Sequence, residues 1–294
     1  MIAYLLYELG SFFTRILPSA FVYLIATAIA DLNFLVNARS RRAVIANLEH
    51  VRGEDARSES PARIARRVFH HFAFNIVDFL RLPALDRERL AAAIDVDGLE
   101  HLTAALACGR GVILLSGHIG NWEWGGAFFA LSGIHVKAVA LPHGAGRVTR
   151  FFDERRRAKG IEVLPFAGST FAMVESLHAG GVVGLIVDRD YAHQGIPVRF
   201  FDATTMVPRA HASLALKTGA ALVPGFCLRG QGGRHRLLVR PPIPFADLEA
   251  LAPDHRVEAL VARCLREFEA VIGAHPDQWL VFAPIWPAAS GTQA

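Results

Sequence analysis

GVILLSGHIGNWEWGGAFFALSG, Gly111 to Gly133, is an apolar run of strand length, a polar turn, and an apolar run of helix length stopped by glycine. A strand that hands over to a helix through His118 and Asn121 is the start of a β–α unit. Outward from it the alternation repeats. VKAVAL, IEVLPF, VVGLIVD and ALVPGFCL read as strands, while GLEHLTAALACG, GSTFAMVESLHAG and VPRAHASLALKTG carry helical spacing. This alternation predicts an α/β fold, a mixed, mostly parallel sheet covered by helices on both faces. RHRLLVRPPIPF reads as an edge strand ended by prolines, and HRVEALVARCLREFEAVIGAH as a closing amphipathic helix. From Ser40 to about Pro83 the spacing is helical.

The chain has 294 residues, enough for one large α/β domain with a substantial core. It is 52% apolar, with a mean hydropathy of +0.31, which points to membrane association rather than a freely soluble enzyme. Ile16 to Ala30 is uncharged, and as a helix it reaches roughly 22 Å, short of the roughly 30 Å hydrocarbon core. Pro18 kinks or restarts any helix here, and Glu8 and Arg15 lie before it. A tilted or partly inserted hydrophobic membrane-anchoring helix is expected, not a secretory signal. Arg39, Arg41 and Arg42 follow, which places the remainder on the cytoplasmic side of the cell inner (plasma) membrane. The chain therefore divides into an anchor (1–38), an α/β domain (39–288) and a disordered tail (289–294).

A net charge of +4 suits nucleic acid, anionic lipid or an acidic substrate. Nothing resembles a nucleic-acid module, so no nucleic-acid partner is expected. Residues 39–67 carry eight arginines against four acids beside the apolar N-terminus. That cluster fits an anionic membrane surface, at about 1 kcal/mol per basic residue near it. Arg229, Arg234, Arg236 and Arg240 form a further basic set with no acid among them. Cys108, Cys227 and Cys264 are isolated, which favours a reducing compartment and gives no thiolate metal site. His143, His193 and His211 lack close ligand spacing, so no metal is expected.

Ligands of open α/β sheets gather at the carboxyl ends of strands. His118 follows one strand and Asp188 ends another. His118 and Glu123 are five apart and diverge by about 140° within one helix. If the helix begins near Gly120 or Asn121, Glu123 lies in its first turn and can reach back to the imidazole. A neutral imidazole held in one tautomer by an acid is a competent general base. Backbone N–H groups at the same helix start are available to developing negative charge, and Gly117 and Gly120 let backbone approach a ligand.

HIGNWE, with its H-x4-E core, resembles the signature of the lipid A biosynthesis (lauroyl/myristoyl) acyltransferases, members of the lysophospholipid acyltransferase superfamily. Relatives acylate phosphatidylinositol mannosides. RRAVIANLEHV, FFDERRRAKGIEVLPF, GLIVDRDYAHQGIPVRFFDATTMVPRAHASLALKTGAALVPGF and HPDQWLVFAPIW are similar to further blocks of that family, in its order. The resemblance implies a membrane-bound O-acyltransferase whose acyltransferase domain is 39–288. The donor it implies is an acyl carrier protein or coenzyme A thioester, the acceptor a hydroxyl of a glycolipid, and no cofactor is needed. Three residues are implied to be catalytic. His118 deprotonates the acceptor, Glu123 orients His118 or holds the turn, and Asp188 is the other acid that can pair with the histidine. Substrate-binding roles fall to Asn121, Arg189 and one of Arg155 and Arg156. Departures stand at Asp202, Val207-Pro208 and Phe282–Ile285, which leaves the lipid A precursor open as the acceptor. A thioester or lipid hydrolase and a non-catalytic lipid-binding protein are the rival readings.

Overall fold

The structure, a computed structural model, describes residues 2–52, 59–142 and 146–286. Four helices come first: α1 (Ile2–Ile16), α2 (Ser19–Val36), α3 (Ala38–Arg52) and α4 (Pro61–Arg81). Then follow α5 (Arg87–Ala93), β1 (Ile94–Asp97), α6 (Leu99–Ala107), β2 (Val112–Ser116), α7 (Trp122–Leu131) and β3 (Val136–Ala140). The chain continues through α8 (Gly146–Arg157), β4 (Glu162–Pro165), α9 (Thr170–His178), β5 (Val182–Ile186), β6 (Ile196–Phe200) and β7 (Ala203–Val207). It closes with α10 (Ala210–Thr218), β8 (Ala221–Arg229), β9 (His235–Val239) and α11 (Pro253–Ala274). The tail expected at 289–294 and His143 lie outside the described residues.

The main sheet has seven strands in the order β1-β9-β8-β2-β5-β3-β4. All its pairs are parallel except β8–β9. Ile113, Leu115, Val183 and Leu185 face α9, α10 and α11, packing with Met173, Ala212 and Phe268. Val112, Leu114, Val136 and Val182 face α4, α7 and α8, packing with Phe79, Phe128 and Phe152. Both faces are buried, which is why β2 reads as an unbroken apolar run rather than an alternation.

Two strand assignments change. β9 is not an edge, because it lies between β8 and β1. The edge on that side is β1, whose IDVD alternates over only four residues and places Asp95 and Asp97 at solvent, a charged blunting of an open edge. β6 and β7 form a separate antiparallel hairpin beyond β5. After that hairpin's first strand, Asp202 accepts from His50 of α3 at 2.6 Å.

The basic set around β8 and β9 finds acids from elsewhere in the chain. Arg234 pairs with Asp95, Arg236 with Asp97, Arg240 with Glu267 and Arg229 with Asp78. Within the first basic cluster, Arg41 donates to the carbonyls of Phe34 (2.5 Å) and Leu35 (2.8 Å), so it caps the C-terminus of α2.

The apolar N-terminus forms two helices because Pro18 stops one and starts the next. α2 runs past Asp31 to Val36, further than the uncharged stretch indicates. Asp31 can remain in it because Arg66 (2.6 and 2.7 Å) and His70 (2.6 Å) of α4 receive its carboxylate. Its 18 residues reach roughly 27 Å, and by length and composition it can cross a membrane. Both helices turn large apolar side chains outward, and in α1 the polarity is reversed. α1 buries Ser11 and Thr14 and exposes Leu5, Leu6, Leu9, Phe12, Phe13 and Ile16. Of the large apolar side chains exposed among the described residues, fourteen lie on α1 and α2 and six elsewhere, so the exposed apolar surface is concentrated on these two helices.

α4 joins this layer to the C-terminal block. Arg67 donates to Asp277 at 3.0 Å and the His71 ring lies 3.7 Å from it. Burial works to raise the Asp277 carboxyl, but His71 and Arg67 outweigh it and hold it at about 2. A carboxylate depressed by folding stabilises fully above its ordinary value near ~4, and that contribution disappears as pH falls through the folded value. The thermal midpoint is therefore expected to decline between pH ~4 and ~2, with Asp277→Asn flattening that part of the curve in an acid titration of melting.

Candidate active site

β2 and β5 pair in parallel with Ser116 opposite Ile186. Two residues further on, His118 and Asp188 leave the sheet side by side. His118 Nδ1 lies 2.7 Å from Asp188 Oδ1, the His118 backbone N–H donates to Oδ2 at 2.8 Å, and Trp279 Nε1 donates to the same oxygen at 3.0 Å. The Asp188 side chain is fully buried while the His118 side chain is 20% exposed, so only the ring reaches the open space beside it. Burial acts to raise the Asp188 carboxyl, but the His118 ring, the Trp279 N–H and the His118 N–H hold it below the usual carboxylate range. An ionised carboxylate only accepts, so the imidazole presents a proton at Nδ1, and in the neutral ring the lone pair is then at Nε2. Nε2 faces the Tyr191 hydroxyl at 3.4 Å, and Arg189 Nη1 donates to that hydroxyl at 3.0 Å. The Trp122 ring stands edge-on to the imidazole, centroids 5.3 Å apart.

Glu123 does not reach the histidine. The helix starts at Trp122, so the turn sends His118 toward β5 while Glu123 points to α8. There it accepts from Arg156 Nη2 at 2.6 Å and from Arg156 Nε at 3.0 and 3.2 Å. Val148, Phe152 and Arg156 are buried along one face of α8. Arg155 turns to α1, with its guanidinium 3.3 Å from the centre of the Phe151 ring and donating to Ser11 Oγ at 3.2 Å. Asn121 is 1% exposed and its side chain is committed within the protein. It accepts from the Trp124 N–H at 3.1 Å as the helix cap and donates to Asp78 at 2.7 Å.

In the turn that leads into α7, three backbone donors are occupied. The N–H of Gly120 goes to the Gln278 carbonyl (2.9 Å), that of Asn121 to the Cys227 carbonyl (2.6 Å), and that of His118 to Asp188. From the other direction, Leu280 N–H donates to the His118 carbonyl at 2.6 Å. Gly120 has φ +62°, and a Cβ there would lie 2.1 Å from the Cys227 carbonyl oxygen, so no other residue fits this crossing.

Sequence reasoning missed Asp78 of α4, which is fully buried beneath the turn. Its carboxylate accepts from Tyr23 of α2, from Arg229 at the end of β8 and from Asn121. Gln278 locks Arg229 in place through both its backbone N–H (2.8 Å) and carbonyl (2.9 Å). His235 lies 3.6 Å from the same carboxylate, with burial and Arg229 pushing its ring down to about 3, so it is neutral.

A cavity of about 1340 Å³ surrounds the carboxyl ends of β2, β3 and β5. Strand alternation divides it into two arms. On the α7–α8 side Leu114, Gly126, Phe129, Val136, Ala138, Phe152, Ile161 and Gly184 make an apolar arm, with Tyr7 of α1 in its wall. On the other side the lining is mixed, with Met173, Leu185 and Val187 beside Thr170, Gln194 and Arg209. Ser116 and His118 line the same cavity at the strand edge between them, and Glu123, Arg156, Arg189 and Tyr191 also line it. Among the described residues no group of three His, Cys, Asp or Glu side chains is disposed to hold a metal.

Against known proteins, the family model described as bacterial lipid A biosynthesis acyltransferase matches residues 1–287. The chain is 31% identical over 247 residues to a phosphatidylinositol mannoside acyltransferase of Mycolicibacterium smegmatis, covering 82% of this chain and 78% of that protein. It is 33% identical over 218 residues to the protein of the same description from Mycobacterium tuberculosis, covering 72% and 66%.

Removing one partner of a buried ion pair leaves the other charge uncompensated. Glu123→Ala and Arg156→Ala are each expected to cost about 3 kcal/mol of stability, with the double variant losing little more than either. Denaturant melts of the three variants check this, and additive losses would mean that the two side chains act independently.

Proposed function

The chain belongs to the bacterial lipid A biosynthesis acyltransferase family, and on that premise we propose that it transfers a fatty acyl chain from a thioester to a hydroxyl of a glycolipid. The observation that carries this reading is the His118–Asp188 pair, with the imidazole lining a large cavity that is apolar on its α7–α8 side and mixed on the other. A two-substrate reaction needs an alcohol and a thioester to meet at one base, and the junction of the two arms is suited to that.

His118 Nε2 takes the proton of the acceptor hydroxyl as its oxygen attacks the thioester carbonyl carbon. A C–O bond forms, and the carbonyl electrons move to oxygen. As the intermediate collapses the C–S bond breaks, and the departing sulfur recovers the proton from the imidazolium. Asp188 holds the ring in the reactive tautomer and stabilises its transient positive charge. Tyr191, whose hydroxyl faces Nε2, and Arg189, which donates to that hydroxyl, are assigned to the carbonyl oxygen. Glu123 and Arg156 neutralise one another and set the wall of the apolar arm, which is assigned to the acyl chain. Asn121 is assigned to holding the turn.

The donor is an acyl carrier protein or coenzyme A thioester, already activated, so the chemistry asks for no cofactor. The acceptor is a glycolipid. The named activity of the mycobacterial relatives makes phosphatidylinositol mannosides the first class to assay, with a lipid A precursor second. The exposed apolar surfaces of α1 and α2 support a membrane seat, which is assigned to the cytoplasmic face of the inner membrane.

Purified enzyme with an acyl thioester and vesicles containing glycolipid tests the assignment. His118→Ala is expected to lower transfer about 1000-fold with folding and vesicle binding intact, and Asp188→Asn to lower it at least about 100-fold. Near-normal transfer by His118→Ala contradicts the base assignment. Thiol release without an acylated glycolipid would identify a hydrolase. Lipid mass spectrometry of a deletion strain against its parent identifies the chain and the acceptor.

A further inference from the structure

Asp78 makes a connection that neither the fold nor the chemistry above requires. Its buried carboxylate collects donors from three separate places: Tyr23 in α2, Arg229 at the end of β8, and Asn121 in the turn that carries His118. The Trp124 indole N–H also donates to the Asp78 carbonyl at 3.3 Å, and Asn75, one turn earlier in α4, donates to the Gly120 carbonyl at 2.5 Å. The carboxylate has no exposed surface, so a donor withdrawn from it is not replaced by bulk water. Asn121 in turn spends its amide on Asp78 and its carbonyl on capping α7, three residues from the base.

Tyr23 belongs to the helix with the exposed apolar surface. Val22, Ala26 and Ala30 are buried on one side of α2, while Phe21, Leu24, Ile25 and Ile29 are exposed on the other. The helix that meets lipid on one side thus holds, on the other, the carboxylate that holds the catalytic turn.

We propose that α2 is a positioning element of the active site and not only an anchor. Tyr23 fixes Asp78, Asp78 fixes Asn121, and Asn121 fixes the turn that aims His118, so the seating of α2 in the membrane and the rate of acyl transfer are coupled. This rests on the acyltransferase reading given above. Tyr23 is a positioning residue, because its hydroxyl acts on the reacting atoms only through Asp78 and Asn121.

Tyr23→Phe is the informative variant. It removes the hydroxyl and keeps the ring, which packs edge-on against Phe74 with centroids 5.4 Å apart. Thr27→Ala is the control, because it loses a hydrogen bond to the Tyr23 carbonyl within α2 and leaves the Tyr23 hydroxyl, Asp78 and Asn121 with their bonds. Both are made in the full chain bound to anionic phospholipid vesicles. Amide hydrogen exchange is read over residues 118–125 and over α11, and kcat and KM for a long-chain acyl thioester are measured alongside. In Tyr23→Phe, turn amides are expected to exchange about tenfold faster with α11 unchanged, and kcat to fall about tenfold at unchanged KM and vesicle binding. Thr27→Ala is expected to match wild type throughout. Wild-type exchange in the turn, a wild-type kcat, or equal loosening of the turn and α11 would each overturn the proposal. The exchange readout does not depend on activity, so an inactive wild-type enzyme would refute the acyltransferase reading and leave this test standing.

Discussion

One buried carboxylate organises the site. Asp188 receives the imidazole N–H, the backbone N–H of the same residue and the indole of Trp279, and it can do so because β2 and β5 run in parallel and in register. Gly117 makes the approach possible, since a Cβ there would lie 3.1 Å from Asp188 Oδ2 and 2.9 Å from the Phe268 ring. The C-terminal block closes the arrangement from below. Gln278, Trp279 and Leu280 bond to the turn or to Asp188, so the last ordered segment of the described chain clasps the residues leaving its second strand. A ring fixed at both its backbone and its Nδ1 has little freedom left, and preorganisation of this kind is what the proposed base role calls for.

Charge in this molecule is placed by pairing rather than by exposure. Glu123 with Arg156 and Asp78 with Arg229 are nearly or wholly withdrawn from water, and each pair sits beside the turn rather than in it. Buried pairs of this type add little net stability relative to apolar packing, but their directionality constrains what may stand where. The two acids of the H-x4-E neighbourhood therefore divide the work. Asp188 serves the histidine, and Glu123 serves the wall. The N-terminal helices turn leucine, isoleucine and phenylalanine outward, and α1 buries Ser11 and Thr14 beneath them, a distribution that an apolar solvent on the outside stabilises.

The β–α alternation was legible because strands buried on both faces are plainly apolar over their whole length. β1 was hidden by its aspartates, and the position of β9 depends on pairing with a strand some 140 residues earlier, which no local pattern carries. His118 and Asp188 were both legible as strand-end residues, but their contact follows from the β2–β5 register. A spacing of five left Glu123 equally eligible until the start of α7 was known. The arginine register had a local signal. Val148, Phe152 and Arg156 share one helical stripe, and an arginine continuing an apolar stripe points inward. Asp78 carried a similar mark, an acid between Val77 and Phe79 in a buried stretch of α4, and an ionisable group at a core position calls for a partner.

The claim on which all else depends is that Asp188 fixes the His118 ring with its proton at Nδ1 and a free lone pair at Nε2. Nitrogen-15 NMR of imidazole-labelled protein, with His118 assigned by its absence in His118→Ala, reads this directly at neutral pH. The account predicts a protonated, pyrrole-type Nδ1 and a pyridine-type Nε2 in the wild-type chain, with that preference lost in Asp188→Asn. A proton resident on Nε2 with a bare Nδ1, or a tautomer indifferent to Asp188, would contradict it.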